Sequence, residues 1–110
     1  MKTFAEFQII GRVGQVKEVG GVPRVSIAAE YGKRDENGDF HSRPFWNELA
    51  IFNENIANWV RENIEPGDLV HTRGTVRDDS YEKDGQTIYA KTMAALQFDL
   101  LAKKTSQDDA

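Results

Sequence analysis

The stretch Phe45-Trp46-Asn47-Glu48-Leu49-Ala50-Ile51-Phe52 decides how the rest of the chain is read. Successive side chains of a β-strand point to opposite faces. Phe45, Leu49 and Ile51 then share one face with Asn47, while Trp46, Ala50 and Phe52 share the other, with Glu48 between the rings. A carboxylate flanked by two rings predicts a wet aromatic surface. Rings standing on a solvated sheet can stack unpaired bases, because every base offers a π-face whatever its sequence. Parity alone equally allows both faces to be buried, one in the core and the other under a helix or a second subunit.

Directly after this stretch the period changes. Ile56, Val60 and Ile64 lie four apart, which predicts a helix over Glu54–Ile64, with Asn53 as its cap and Pro66-Gly67 as its stop. Trp59 falls beside Ile56 and Val60 on the helical wheel and is expected to pack. Upstream, Phe7 to Val13 alternates as a first strand, broken by Gly14 and by Gly20-Gly21. From Arg24 to Tyr31 a second strand places Val25, Ile27, Ala29 and Tyr31 on the core face. The charged run Gly32–Asp39 contains Asn37-Gly38, a strong hairpin signal, so strands two and three form a long hairpin. Downstream, Leu69–Val76 is a fourth strand with a bulge or bend at Gly74, and Ile88–Leu96 a fifth. Between them Asp78–Gln86 reads as a polar turn built on Asp84-Gly85. Three strands, a helix and two strands is the order of an all-β OB-fold, a five-stranded Greek-key barrel with one short helix between strands three and four. A split barrel of another type or an α+β sandwich would give nearly the same string.

The chain has 110 residues, which suits one domain with a modest core, and 39% hydrophobic with 29% charged residues is ordinary for a soluble globular protein. No cysteine is present, which excludes disulfides, thiolate metal sites and cysteine nucleophiles and fits a reducing compartment. The start Met1-Lys2-Thr3-Phe4-Ala5-Glu6 lacks the apolar run of a signal peptide, and no segment is long enough to span a membrane, so a cytoplasmic location is expected. With 14 basic against 18 acidic side chains the net charge is −4, which argues against a nucleic-acid partner unless the basic groups are gathered in one groove.

Three segments carry a resemblance: Ile9-Ile10-Gly11-Arg12-Val13-Gly14-Gln15, Trp46-Asn47-Glu48-Leu49-Ala50-Ile51-Phe52, and Gly67-Asp68-Leu69-Val70-His71-Thr72-Arg73-Gly74-Thr75-Val76-Arg77. In this order and spacing, over roughly Glu6 to Leu101, the chain resembles the bacterial single-stranded DNA-binding protein family. The resemblance implies an OB-fold over residues 1–103 that binds single-stranded DNA without sequence preference, protects it in replication, recombination or repair, and assembles as a homotetramer or homodimer. Residues 104–110 are expected to form a short polar, acidic tail. By position, Trp46 and Phe52 match two of the family's stacking aromatics, and Tyr81 stands where the family usually has a stacking tryptophan. The remaining family tryptophan aligns at about Lys33, with Tyr31 the nearest ring. Retained basic candidates are Arg12, Lys33, Arg34, Arg73, Arg77 and Lys83. Glu48, Glu54, Asp78 and Asp79 fall at or near positions where many members carry Arg or Lys, which implies weakened phosphate contact. The family's acidic tip ends in Pro-Phe or similar; Ser106-Gln107-Asp108-Asp109-Ala110 has no phenylalanine, so partner docking by that route is unsupported.

No enzymatic chemistry is expected. His41 and His71 have no cysteine and no closely spaced His or carboxylate to suggest a metal, and no cofactor motif is present. Gly11-Arg12-Val13-Gly14 is not a phosphate loop, since no helix and no Gly-Lys-Ser/Thr follows. Asp78-Asp79 and Asp35-Glu36 are adjacent acids in turns, unsuited to converge on one substrate atom. The rival to nucleic-acid binding is a protein–protein or oligomerisation module whose aromatic face is an interface, a reading that the acids near Trp46 and Tyr81 support.

Overall fold

The structure, a computed structural model, describes residues 2–105. Its elements are β1 (Glu6–Val19), β2 (Val22–Arg34), β3 (Phe40–Ala50), α1 (Glu54–Asn63), β4 (Leu69–Lys83) and β5 (Gln86–Ala102). The strands close into a barrel in the order β1-β2-β3-β5-β4, the five-stranded OB architecture with its helix between β3 and β4. Val25, Ile27, Leu49, Ile51 and Val70 fill the interior, and Ala57, Val60 and Ile64 of the helix region seal one end of it. Asn53 caps α1 by accepting the Ile56 amide at 3.0 Å. Behind the helix, buried Asp68 accepts the amides of Glu65 (2.8 Å) and Lys104 (3.0 Å) and the Lys103 ammonium (2.9 Å). Burial pushes its carboxyl up, but the bonds from Lys103 and the two amides outweigh that and hold it below the ordinary aspartate range.

The barrel explains where alternation stops being informative. β1 pairs β2 only from Arg12 to Val19 and β4 only from Glu6 to Arg12. Beyond those limits, Ala29–Arg34 with Phe40–Phe45, and Val76–Lys83 with Gln86–Met93, are two-stranded arms without a third strand. β3 and β5 run parallel where they meet, at Ala50 and Ala94, so both arms leave the barrel from the same end.

Several expectations are corrected by this arrangement. Gly14 does not end β1; it lies in a bulge between Val13 and Gln15, and the strand runs on to Val19. Asp78–Gln86 is not a turn but the outer part of an arm, and only Asp84 and Gly85, at φ 53 and 79, reverse the chain. The bulge expected at Gly74 is present, because the Ala94 carbonyl lies where a side chain would stand. Phe45 and Tyr31, placed inward by parity, are 44% and 67% exposed, since the arm has left the barrel and there is no interior for them to enter. Ala50, assigned to the wet face with Trp46, is 1% exposed because β5 pairs over it. Ile51 and Phe52 lie past the end of β3, and the helix stops at Asn63 with Ile64 as its cap. Trp59 is 38% exposed on the helix surface rather than packed in the core. The proposed tail lies outside the described residues from position 106 onward.

Candidate nucleic-acid interface

Arg12, Ala28 and Trp46 form one register row across β1, β2 and β3. Residues directly opposite in antiparallel strands share a face, so this row lies on the outside of the sheet, away from Val13, Ile27 and Leu49. Ala28 is small, and the Trp46 indole reaches across β2 as far as Gly14, where a Cβ would collide with the Cζ3–Cη2 edge of the ring. The β1 bulge thus provides a seat for the indole, which is held in place yet left 56% exposed. The same face continues outward along the arm. Gly32 is in register with Ser42 there, and the ring of Phe40, 62% exposed, lies where a Gly32 side chain would stand.

The other candidates are spread over the molecule. Phe52 is 55% exposed in the link between β3 and α1, just before the helix cap. Tyr31 and Lys33 lie on the β2–β3 arm but on the face opposite Trp46, with Phe45, Arg43 and His41. The Tyr31 and Phe45 rings meet edge to face at 5.5 Å, and the Arg43 guanidinium covers Phe45 at 5.0 Å. Arg34 is on the Trp46 face and donates to the Gly38 carbonyl at 2.8 Å. Arg77, Tyr81 and Lys83 share one face of the β4–β5 arm, Lys83 next to its tip. Arg73 sits on the β1–β4–β5 side of the barrel, in register with Gln8 and Gln97 and 3.9 Å from Glu6. Arg12 donates to the Gly67 carbonyl at 3.1 Å, which fixes it at the seam between the two sides.

The acids near these rings are occupied by the chain's own cations. Glu48 is 3.3 Å from Lys17 and 3.6 Å from Arg24. Asp78 holds Lys91 at 2.7 Å, and Asp79 holds Arg77 at 3.2 Å and accepts a hydrogen bond from the Thr92 hydroxyl. That hydroxyl, and then Arg77, keep the Asp79 carboxyl below the ordinary range. At the β2–β3 tip, Asp35 accepts His41 at 2.7 Å and the amides of Asn37 and Asp39, and His41 first among them lowers its carboxyl. His71 lies between Asp99 (3.0 Å) and Gln8 (3.1 Å) on the β1–β4–β5 side. Among the described residues no group of three or more His, Asp or Glu is placed to hold a metal, and no helix is long and apolar enough to cross a membrane.

No family model matches the chain. Among curated proteins it is 29% identical over 110 residues to single-stranded DNA-binding protein 3 of Streptococcus agalactiae serotype V, covering 90% of this chain and 75% of that one. It is 29% identical over 80 residues to the mitochondrial single-stranded DNA-binding protein of Drosophila melanogaster, covering 68% of this chain; there the match spans only 55% of the relative's length. Among solved structures, the Plasmodium falciparum SSB in complex with ssDNA superposes with a TM-score of 0.73 at 20% identity, over 92% of this chain and 97% of that one, a likeness of fold. With the barrel order and the three sequence segments, these relatives show that the chain is similar to single-stranded DNA-binding proteins in sequence and in fold.

Proposed function

We propose that the chain binds single-stranded DNA independently of sequence and shields it during replication, recombination or repair. The observation that carries this is Trp46, a large ring laid on a glycine seat and more than half exposed on the outside of the barrel, with Arg12 in the same register row. Bases stack on Trp46, Phe52 and Tyr81, each contributing about 1–3 kcal/mol, while Arg12, Arg34 and Lys83 follow the phosphates and Arg77 is held back by Asp79. Duplex is refused because its bases are not free to stack. The protein–protein reading is not favoured: the acids near Trp46 and Tyr81 that supported it, Glu48, Asp78 and Asp79, are paired in place with Lys17, Arg24, Lys91 and Arg77.

Assembly into a homodimer or homotetramer is part of the proposal. Ile10, Leu96 and Leu101 are 58%, 60% and 50% exposed on β1 and β5, which supports a covered face on the side of the barrel that carries His71. Sedimentation at two concentrations tests this. The binding itself is tested by titrating tryptophan fluorescence with a dT oligonucleotide and with duplex of equal length, at low and high salt. Quenching by dT alone, weakened by salt and lost in Trp46→Ala while Trp59 still reports folding, is the expected result; an unchanged signal with dT at low salt would overturn it.

A further inference from the structure

We propose that Phe40 is a base-stacking residue, and that it, rather than Tyr31, extends the Trp46 surface along the β2–β3 arm. The proposal rests on the single-stranded DNA reading and adds a platform to it. Phe40 and Trp46 have the same parity on β3, about 20 Å apart at 3.3 Å per residue, with Ser42 and Pro44 between them on that face. Each ring reaches from β3 to a glycine of another strand: Trp46 across β2 to Gly14 of β1, Phe40 to Gly32 of the adjacent β2. A side chain at either glycine would collide with the far edge of the ring, Cζ3 and Cη2 of Trp46 or Cζ and Cε1 of Phe40, so both rings are seated by the same device and both stay more than half exposed.

On the arm this placement gains nothing from a core. Both faces of a two-stranded ribbon are wet, and Phe40 stays 62% exposed without joining the buried cluster. An exposed phenylalanine pinned in this manner is pre-positioned for a flat apolar ligand, and on this face, in line with Trp46, that ligand is an unpaired base. Arg34, in register with Phe40 and on the same face, supplies a cation beside the ring.

The rings on the opposite face are in a different state. Tyr31 and Phe45 contact each other, and Arg43 lies over Phe45, so their π-surfaces are partly used within the chain. They line a groove of about 380 Å³ with Lys33 and His41, a face a strand passing over Trp46 does not meet. Among the described residues no ring or cation lies on Phe40.

The test is anisotropy of a labelled dT oligonucleotide with the full chain carrying Phe40→Ala, Tyr31→Ala or Phe40→Trp. Phe40→Ala is expected to weaken binding about 5- to 150-fold, the span of one lost stacking contact. Tyr31→Ala should stay close to wild type and Phe40→Trp should bind at least as well. In a chain also carrying Trp46→Phe and Trp59→Phe, the indole introduced by Phe40→Trp should be quenched by dT. Wild-type binding with Phe40→Ala unaffected, or with the loss carried by Tyr31→Ala, would overturn the proposal and leave the binding reading standing. Failure of the wild-type chain to bind dT at all would overturn both.

Discussion

The two arms leave the same end of the barrel and are built from the same kind of antiparallel ribbon, yet they treat their charged and aromatic groups differently. On the β2–β3 side, Trp46 at the barrel and Phe40 on the arm lie against glycines, and among the described residues the arm's cation on that face, Arg34, is bound to a carbonyl and to no carboxylate. The β4–β5 arm carries Tyr81 at 53% exposure, and two of its cations, Arg77 and Lys91, are each held by an aspartate of the same arm, leaving Lys83 next to the tip. A phosphate approaching the first arm competes with a dipole; one approaching the second must displace a carboxylate. The first arm is therefore expected to supply most of the affinity and the second to contribute through its ring.

The largest expected effect follows from that asymmetry. Trp46→Ala should cost about 1–3 kcal/mol of dT affinity, and Tyr81→Ala, with a smaller ring, should fall at the low end of that range. Equal losses in the two variants, measured by anisotropy, would erase the difference between the arms. The next effect is smaller and isolates the seat from the ring. Gly14→Ala keeps the indole but displaces it from its rest on β1, and forcing a side chain off its rotamer costs about 0.5–1.5 kcal/mol. Affinity for dT should drop by less than in Trp46→Ala, with unfolding by denaturant showing whether the barrel itself is unaffected.

Much of this was legible in the sequence. The change of period after Phe52, the Asn53 cap, the glycine bulge at Gly74 and the Asp84-Gly85 reversal are local signals, each with a direct physical cause, and each is found in place. The arms were not legible in the same way. Alternation reports a buried face, and neither ribbon buries one, so Asp78–Gln86 read as a polar turn, while Ile88–Leu96 read as a strand shorter than the Gln86–Ala102 observed. Parity assigned Tyr31 and Phe45 to the inside correctly as a direction; it could not say that the barrel ends at Ala28. Phe40 shares the parity of Trp46, so its face was readable, but the Gly32 beneath it belongs to another strand and needs the register.

Charge release on the second arm gives the third effect. Asp79→Asn frees Arg77, so dT binding should tighten a few-fold at low salt. The salt slope should steepen by about 0.7, the value for one added phosphate contact on a single strand. If the slope is unchanged, Arg77 makes no phosphate contact even when released, and the carboxylate is not what separates the two arms.

The smallest expected effect is a flat response to pH, and it follows from the direction of the Asp79 shift. A carboxyl whose folded-state pKa lies below its ordinary 3.8 contributes stability that is present above 3.8 and is lost as pH falls through the lowered value. The Thr92 hydroxyl and Arg77 therefore keep Asp79 ionised throughout the range from about pH 5 to 8, where single-strand binding would be measured. Over that interval protonation does not free Arg77, and only a competing phosphate does. Asp35 behaves in the same sense at the tip of the other arm, with His41 as the main cause, followed by the Asp39 amide. Carboxyl-carbon NMR titration should place both midpoints below 3.8, and dT affinity of the wild type and of Asp79→Asn should run parallel between pH 5 and 8. An Asp79 midpoint at or above 3.8, with the two affinity curves converging as pH falls, would mean that protons open this arm before DNA does, and that its self-pairing is a weaker competitor than the geometry implies.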